Sequence, residues 1–136
     1  MTTTNHTNTF IEIAEDCPVI MAEIPPEKGD FKTVARLQYE MIANNPYRYS
    51  SDDVLFLVYA NRNEIPKTHL EEERMKFFSK GQACFRSSPL AKRYGWGVHN
   101  DAEGKIAIYG IGSIEYKKIT TDKALKHVKA MRSKRI

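Results

Sequence analysis

At 136 residues, with 41% hydrophobic and 28% charged side chains, the chain has the size and composition of one folded domain with its own core. Its longest uninterrupted apolar run, Val54 to Ala60, falls far short of the ~20 residues that cross a bilayer, and the polar start, Met1 to Thr9, lacks the basic-then-apolar layout of a secretion signal. Wholesale disorder and a membrane protein are thereby excluded, a cytoplasmic protein is the expectation, and Cys17 and Cys84 are expected as free thiols.

In chain order, Met1 to Asn8 reads as a mobile tail, and the alternation of Thr9-Phe10-Ile11-Glu12-Ile13 predicts a short strand. Pro18, Pro25 and Pro26 rule out a regular helix between Glu15 and Gly29, so this acidic stretch is expected to run extended across the surface. Asp30 then offers a cap for a helix with Val34, Leu37, Met41 and Ile42 on one face, ended by Asn44-Asn45-Pro46. After the connector Tyr47-Arg48-Tyr49, the cluster Ser50 to Asp53 looks like a helix start. The run from Val54 to Ala60 is apolar all round; the cap residues before it and the stop from Asn63 to Pro66 favour a central helix over a buried strand.

Thr68-His69-Leu70-Glu71 has the form of a capping box for a third helix ending at Gly81. Its leading acids, Glu71 to Glu73, and its trailing bases suit the helix dipole. Ser88-Pro89 predicts one or two further helical turns closed by Gly95. Trp96 to His99 and Lys105 to Tyr109 read as the two strands of a hairpin, Ser113 can cap a short helix through Lys118, and the stretch from Leu125 to Arg132 fits a last strand or helix. The order predicts a single α+β domain over 9–136, with three main helices and a small antiparallel sheet that includes the hairpin near 96–109.

The net charge of +4 hides an asymmetry. Up to Asp30 six acids face Lys28 alone, whereas from Lys117 onward eight bases face only Asp122. The acidic start can pair with the basic end within one molecule or between two, and the basic end can attract a polyanion. From Arg74 to Asn100 there is no Asp or Glu; once the helix-end bases Arg74 and Lys76 are set aside, Lys80, Arg86, Lys92, Arg93 and Trp96 remain as candidate ligand-binding residues. Strand alternation puts Tyr94, Trp96 and Val98 on one face and Gly95, Gly97 and His99 on the other. Two glycines beside a histidine leave either a shallow groove or room for packing. Cys84 in this basic setting is a candidate nucleophile and His99 a candidate base, set against a buried, inert thiol and a merely hydrogen-bonded histidine. Gly110-Ile111-Gly112-Ser113 lacks the rest of a phosphate-loop fingerprint and reads as a turn and cap. No metal or cofactor is predicted, since His6, His69, His99 and His127 are isolated.

The segments Glu15-Asp16-Cys17-Pro18, Gln38-Tyr39-Glu40, Asn45-Pro46-Tyr47-Arg48-Tyr49, Ser79-Lys80-Gly81-Gln82, Cys84-Phe85-Arg86, Ser88 to Gly97 and Lys129 to Arg135 resemble a family of small uncharacterised bacterial proteins, a domain of unknown function, over nearly the whole length. The resemblance implies a bacterial, stand-alone, single-domain protein and carries no activity, cofactor or catalytic residue. Three functions remain in view: a binding module whose basic surface meets a phosphate-bearing or nucleic-acid partner, a small enzyme built on His99, Cys84 and Arg86 around the glycines, and a homodimer or protein-interaction module joined through the acidic start and the basic end.

Overall fold

The computed structural model describes residues 3–29 and 31–133 of the chain. The main sheet has four strands in the order β5-β4-β1-β6, namely β1 (Thr9–Glu12), β4 (Trp96–Asn100), β5 (Ile106–Gly110) and β6 (Lys126–Lys129). A two-residue ribbon, β2 (Glu27–Lys28) with β3 (Phe31–Lys32), stands apart from it. Among the described residues there are five α-helices, the three main ones, α1 (Val34–Ala43), α2 (Ser51–Arg62) and α3 (Leu70–Ser79), and the two short ones expected after Ser88 and Ser113, α4 (Pro89–Lys92) and α5 (Ile114–Thr120). The sheet is mixed, not antiparallel throughout. β4 pairs antiparallel with both β1 and β5, forming the expected hairpin, but β6 runs parallel to β1 in the register Phe10 to His127 and Glu12 to Lys129. A parallel neighbour needs a crossover, and everything from β1 to α5 separates this pair in sequence, so no local signal announces it.

Strand alternation divides the sheet into two faces. Ile11, Trp96, Val98, Ile106, Ile108 and Val128 face the main core, where Ile42 of α1, Val54 and Val58 of α2, and Leu90 and Ala91 of α4 close over them. Phe10, Gly97, His99, Ala107 and Tyr109 point the other way, toward α5. Phe10, with no exposed surface, meets the ring of Tyr116 edge-on at 5.2 Å, and the Tyr116 hydroxyl accepts the Ile13 N–H at 3.1 Å.

The all-round apolarity of α2 has a simple cause. Val54 and Val58 pack on the sheet while Phe56 and Ala60 join Phe78 of α3 in a second, smaller cluster, so two opposite faces are covered. Ser50 and Asp53 form a reciprocal capping box at its start. Asp30, expected to cap α1, lies outside the described residues. The cap there is Thr33, whose Oγ1 accepts the Arg36 N–H at 3.1 Å. The expected capping box at Thr68 does not form, because Lys67–His69 is a 3-10 turn leading into α3 and no side chain caps that helix. Ser88 and Ser113 do cap α4 and α5.

Where the sequence suggests a mobile tail over Met1 to Asn8, residues 3–5 are docked on the first turn of α2. Thr4 is buried, its backbone N–H and its hydroxyl both donate to Asp52, and the Asn5 side chain accepts the Asp52 N–H at 2.9 Å. Asp52, read in the sequence as a helix-start charge, also holds this segment down. Cys17 and Cys84 are both free. Among the described residues no helix is long and apolar enough to cross a membrane.

Candidate functional site

The basic tract is dispersed by the fold. Arg74 forms an ion pair with Asp53 at 2.9 Å and lies over the rings of Phe56 and Phe78, and Lys76 pairs with Glu72 and Glu73. Lys80 is exposed beyond the end of α3, in a shallow hollow with Tyr59, Phe77 and Gln82. Arg86 serves the sheet edge: its Nε donates to the Lys129 carbonyl at 2.8 Å and its own carbonyl accepts the Met131 N–H at 2.7 Å, which fastens the end of β6. Trp96 stacks at a tilt on Tyr39 of α1, 5.2 Å between ring centres, and donates from Nε1 to the Glu23 carbonyl at 2.8 Å.

Lys92 and Arg93 alone of the five candidate ligand-binding residues share a concave site. They line a groove of about 440 Å³ between α1 and α4, together with Pro26, Thr33, Ala35, Ser87 and Tyr94. Its walls are held in place from inside. The buried Ser88 hydroxyl donates to the buried Gln38 of α1 at 2.7 Å while capping the Leu90 N–H, and the Ala91 carbonyl accepts the Ala14 N–H at 3.0 Å. The hydrogen bonds from the Lys92 and Arg93 amides to the Ser88 and Pro89 carbonyls, at 3.1 and 2.8 Å, place both basic side chains at the end of α4. Among the described residues neither side chain has an ion-pair partner and no carboxylate lines the groove.

The start of α1 adds to this positive character. Thr33 satisfies the Arg36 N–H, and the Leu37 N–H bonds to the Thr33 carbonyl, which leaves the amides of Val34 and Ala35 without a helical partner at the groove wall. The first turn of α1 holds no acid to offset the dipole. Two cations and two amides without a partner among the described residues converge on one groove, and that set suits an anion.

Elsewhere part of the charge is paired within the molecule, while Lys117, Lys118, Lys123 and Lys126 have no ion-pair partner among the described residues. Lys129 and Arg132 reach Glu15 at 3.4 and 3.8 Å, His127 lies 3.4 Å from Glu12, and the Ser133 N–H bonds to Asp16. The acidic start therefore pairs with the basic end inside one molecule. Lys134 and Arg135, the last bases of that end, lie outside the described residues.

His99 belongs to a different setting, unannounced in the sequence. Its Nδ1 lies 2.7 Å from the Tyr47 hydroxyl, which in turn lies 2.7 Å from the Tyr109 hydroxyl, so three half-buried polar groups form a chain on the α5 side of the sheet. Tyr47 holds this position with a positive φ of 59°, a conformation that costs a bulky residue energy. Burial, then the bond to Tyr109, pushes the Tyr47 hydroxyl well above the ordinary tyrosine range. The glycines expected to open a groove beside His99 serve packing instead: a Cβ on Gly97 would lie 2.5 Å from the Phe10 ring and 2.8 Å from Tyr116. Cys84 and Arg86 stand at the β6 edge, with β1 and β6 between them and the strand of His99. The fold does not bring the three together.

Burial pushes His99 below the ordinary histidine value, against a smaller opposing pull from Asp101 and Asp122. The unfolded chain binds this proton near pH 6.5 and the folded chain resists it, so the stability involved is complete above about pH 6.5 and falls as the pH drops through it. His6, lowered first by burial and then by Lys126 and Arg86, acts in the same direction. Urea midpoints are expected to fall between pH 7.5 and 5.5, and less steeply in His99→Gln; an unchanged slope in that variant would show that His99 does not contribute.

Along residues 1–136 the chain matches DUF6157, a family of unknown function. It belongs to that family. No curated protein and no solved structure matches this DUF6157 chain.

Proposed function

We propose that the chain is a binding module that takes a phosphate-bearing partner in the groove between α1 and α4. The observation that carries this reading is the convergence of the unpaired Lys92 and Arg93 on the open amides at the start of α1. A guanidinium and an ammonium supply charge-assisted hydrogen bonds, the amides supply fixed donors, and the Tyr94 ring at the rim offers a surface for a flat base. The volume lies within the range of small-molecule sites and fits one phosphate with its attached group. For a polynucleotide, one phosphate would sit in the groove and binding would weaken steeply with salt.

Calorimetric titration with inorganic phosphate, a nucleoside monophosphate and a short oligonucleotide tests the proposal at low and at moderate salt. Arg93→Ala and Lys92→Ala are each expected to weaken binding about tenfold, the loss of one charge-assisted contact. If only the oligonucleotide binds, steeply weakened by salt and by Arg93→Ala, the partner is nucleic acid. Absence of binding to all three ligands at low salt would overturn the reading.

A further inference from the structure

The free edge of β5 points to a second binding surface, independent of the phosphate groove. Hydrogen bonds from the Ile111 N–H to the Gly95 carbonyl and from the Asp101 N–H to the Lys105 carbonyl set the pairing phase, so Ala107 and Tyr109 bond to β4 while Ile106 and Ile108 turn their backbone groups outward. At Ile106 the outward groups are used: the Tyr47 N–H donates to its carbonyl at 2.8 Å and its N–H donates to Tyr49 at 2.9 Å. At the far end the Ala22 N–H donates to the Ile111 carbonyl at 3.1 Å. Between these two docked segments, the N–H and C=O of Ile108 have no hydrogen-bond partner among the described residues.

This short open edge runs beside a groove of about 480 Å³. Its walls differ. Trp96, Ile108 and Ala22 form an apolar side, and Tyr109, Ser113 and Glu115 form a side toward α5 whose single charge, on Glu115, has no ion-pair partner among the described residues. Met21, which lines it, is 63% exposed, and Ile20 and Ile114, adjacent in sequence to lining residues, are exposed large apolar side chains as well.

We infer that this edge accepts an extended peptide segment of a partner protein, added as a fifth strand, with alternate apolar and basic side chains. The unpaired backbone groups of Ile108 call for another main chain, and the alternation of a strand sends one set of side chains to the Trp96 and Ile108 wall and the other toward Glu115. A second copy docking by its own β5 does not fit, because the Gly110 carbonyl is taken by the Ser113 N–H and hydroxyl, the open backbone groups are those about Ile108, and the segments at Tyr47–Tyr49 and Ala22 would meet their counterparts.

The probe is a fluorescein-labelled octapeptide of alternating valine and lysine, titrated against the whole chain by anisotropy. Saturable binding is expected. It should weaken about tenfold when the central amides of the peptide are N-methylated, the equivalent of one lost hydrogen bond to a partner left unpaired. A valine and glutamate counterpart should also bind at least tenfold more weakly, and Glu115→Lys should narrow that difference. Ile108→Pro removes the edge N–H in a strand position that tolerates proline, and Met21→Glu spoils the groove without touching the backbone, so a folding failure of the first leaves the second decisive. No saturable binding, equal binding of the N-methylated peptide, or a concentration-dependent dimer abolished by Met21→Glu would each overturn the inference, the last by assigning the face to a second copy. Arg93→Ala should leave peptide binding unchanged.

Discussion

Replacing Gly97 with valine is expected to destabilise the fold by about 3 kcal/mol or more, the upper part of the range for overpacked cores. The reason is positional. A Cβ there would stand 2.5 Å from Cζ and 2.8 Å from Cε1 of Phe10, and 2.8 Å from Cε2 of Tyr116. Phe10 cannot swing aside, because it has no exposed surface and meets His127 edge-on at 6.3 Å as well as Tyr116 at 5.2 Å. Nor can Tyr116 retreat without breaking the bond from the Ile13 N–H. Denaturant unfolding of Gly97→Val, Phe10→Leu and the double variant measures the effect. The smaller leucine frees part of the volume, so the double variant should be more stable than the sum of the two single losses, and strict additivity would show that the two side chains do not meet.

Phe78→Ala is expected to cost about 3–5 kcal/mol, the usual range for a fully buried phenylalanine. Its effect should be concentrated in α3. Phe78 is the one buried residue of that helix, and it packs with Phe56 and Ala60 of α2 in a cluster separate from the main core. Arg74 lies 5.6 Å over the Phe78 ring and 5.8 Å over Phe56 while it pairs with Asp53, so removal of the ring also loosens the polar contact between α2 and α3. Amide hydrogen exchange of Phe78→Ala should accelerate most between Leu70 and Ser79, with protection of β4 and β1 reduced only by the global loss. A uniform change across the chain would mean that the two clusters unfold as one unit.

Much of the local structure is legible in the residues. The alternation of Thr9 to Glu12, the Ser50 to Asp53 cap, the Ser88-Pro89 start and the hairpin about Asn100 to Gly104 each contain their own signal within a few residues, and the structure has these elements. Two local readings failed for local reasons: Thr33, nearer the first helical turn than Asp30, caps α1, and a 3-10 turn displaces the Thr68 cap. The parallel pairing of β6 was not legible, because its partner lies more than a hundred residues earlier and the short strand Lys126–Lys129 carries no alternation strong enough to name a neighbour.

The candidate site divides along the same line. By itself the sequence determined that bases and aromatic rings are concentrated between Lys80 and Trp96, that acids are concentrated at the start, and that Gly97 lies beside His99 on a strand. Only the tertiary structure decided which of these meet. Lys92 and Arg93 share a groove because Ser88 and Gln38 tie α4 to α1, whereas Arg86 is drawn to the β6 edge and Trp96 to Tyr39. The Tyr47, His99 and Tyr109 chain joins residues 52 and 62 positions apart, and the Glu15 contacts to Lys129 and Arg132 join the two ends. Composition and spacing act over a few residues; which distant side chains share a site is set by the packing of helices on a sheet, and no pattern short enough to read along the chain contains that information.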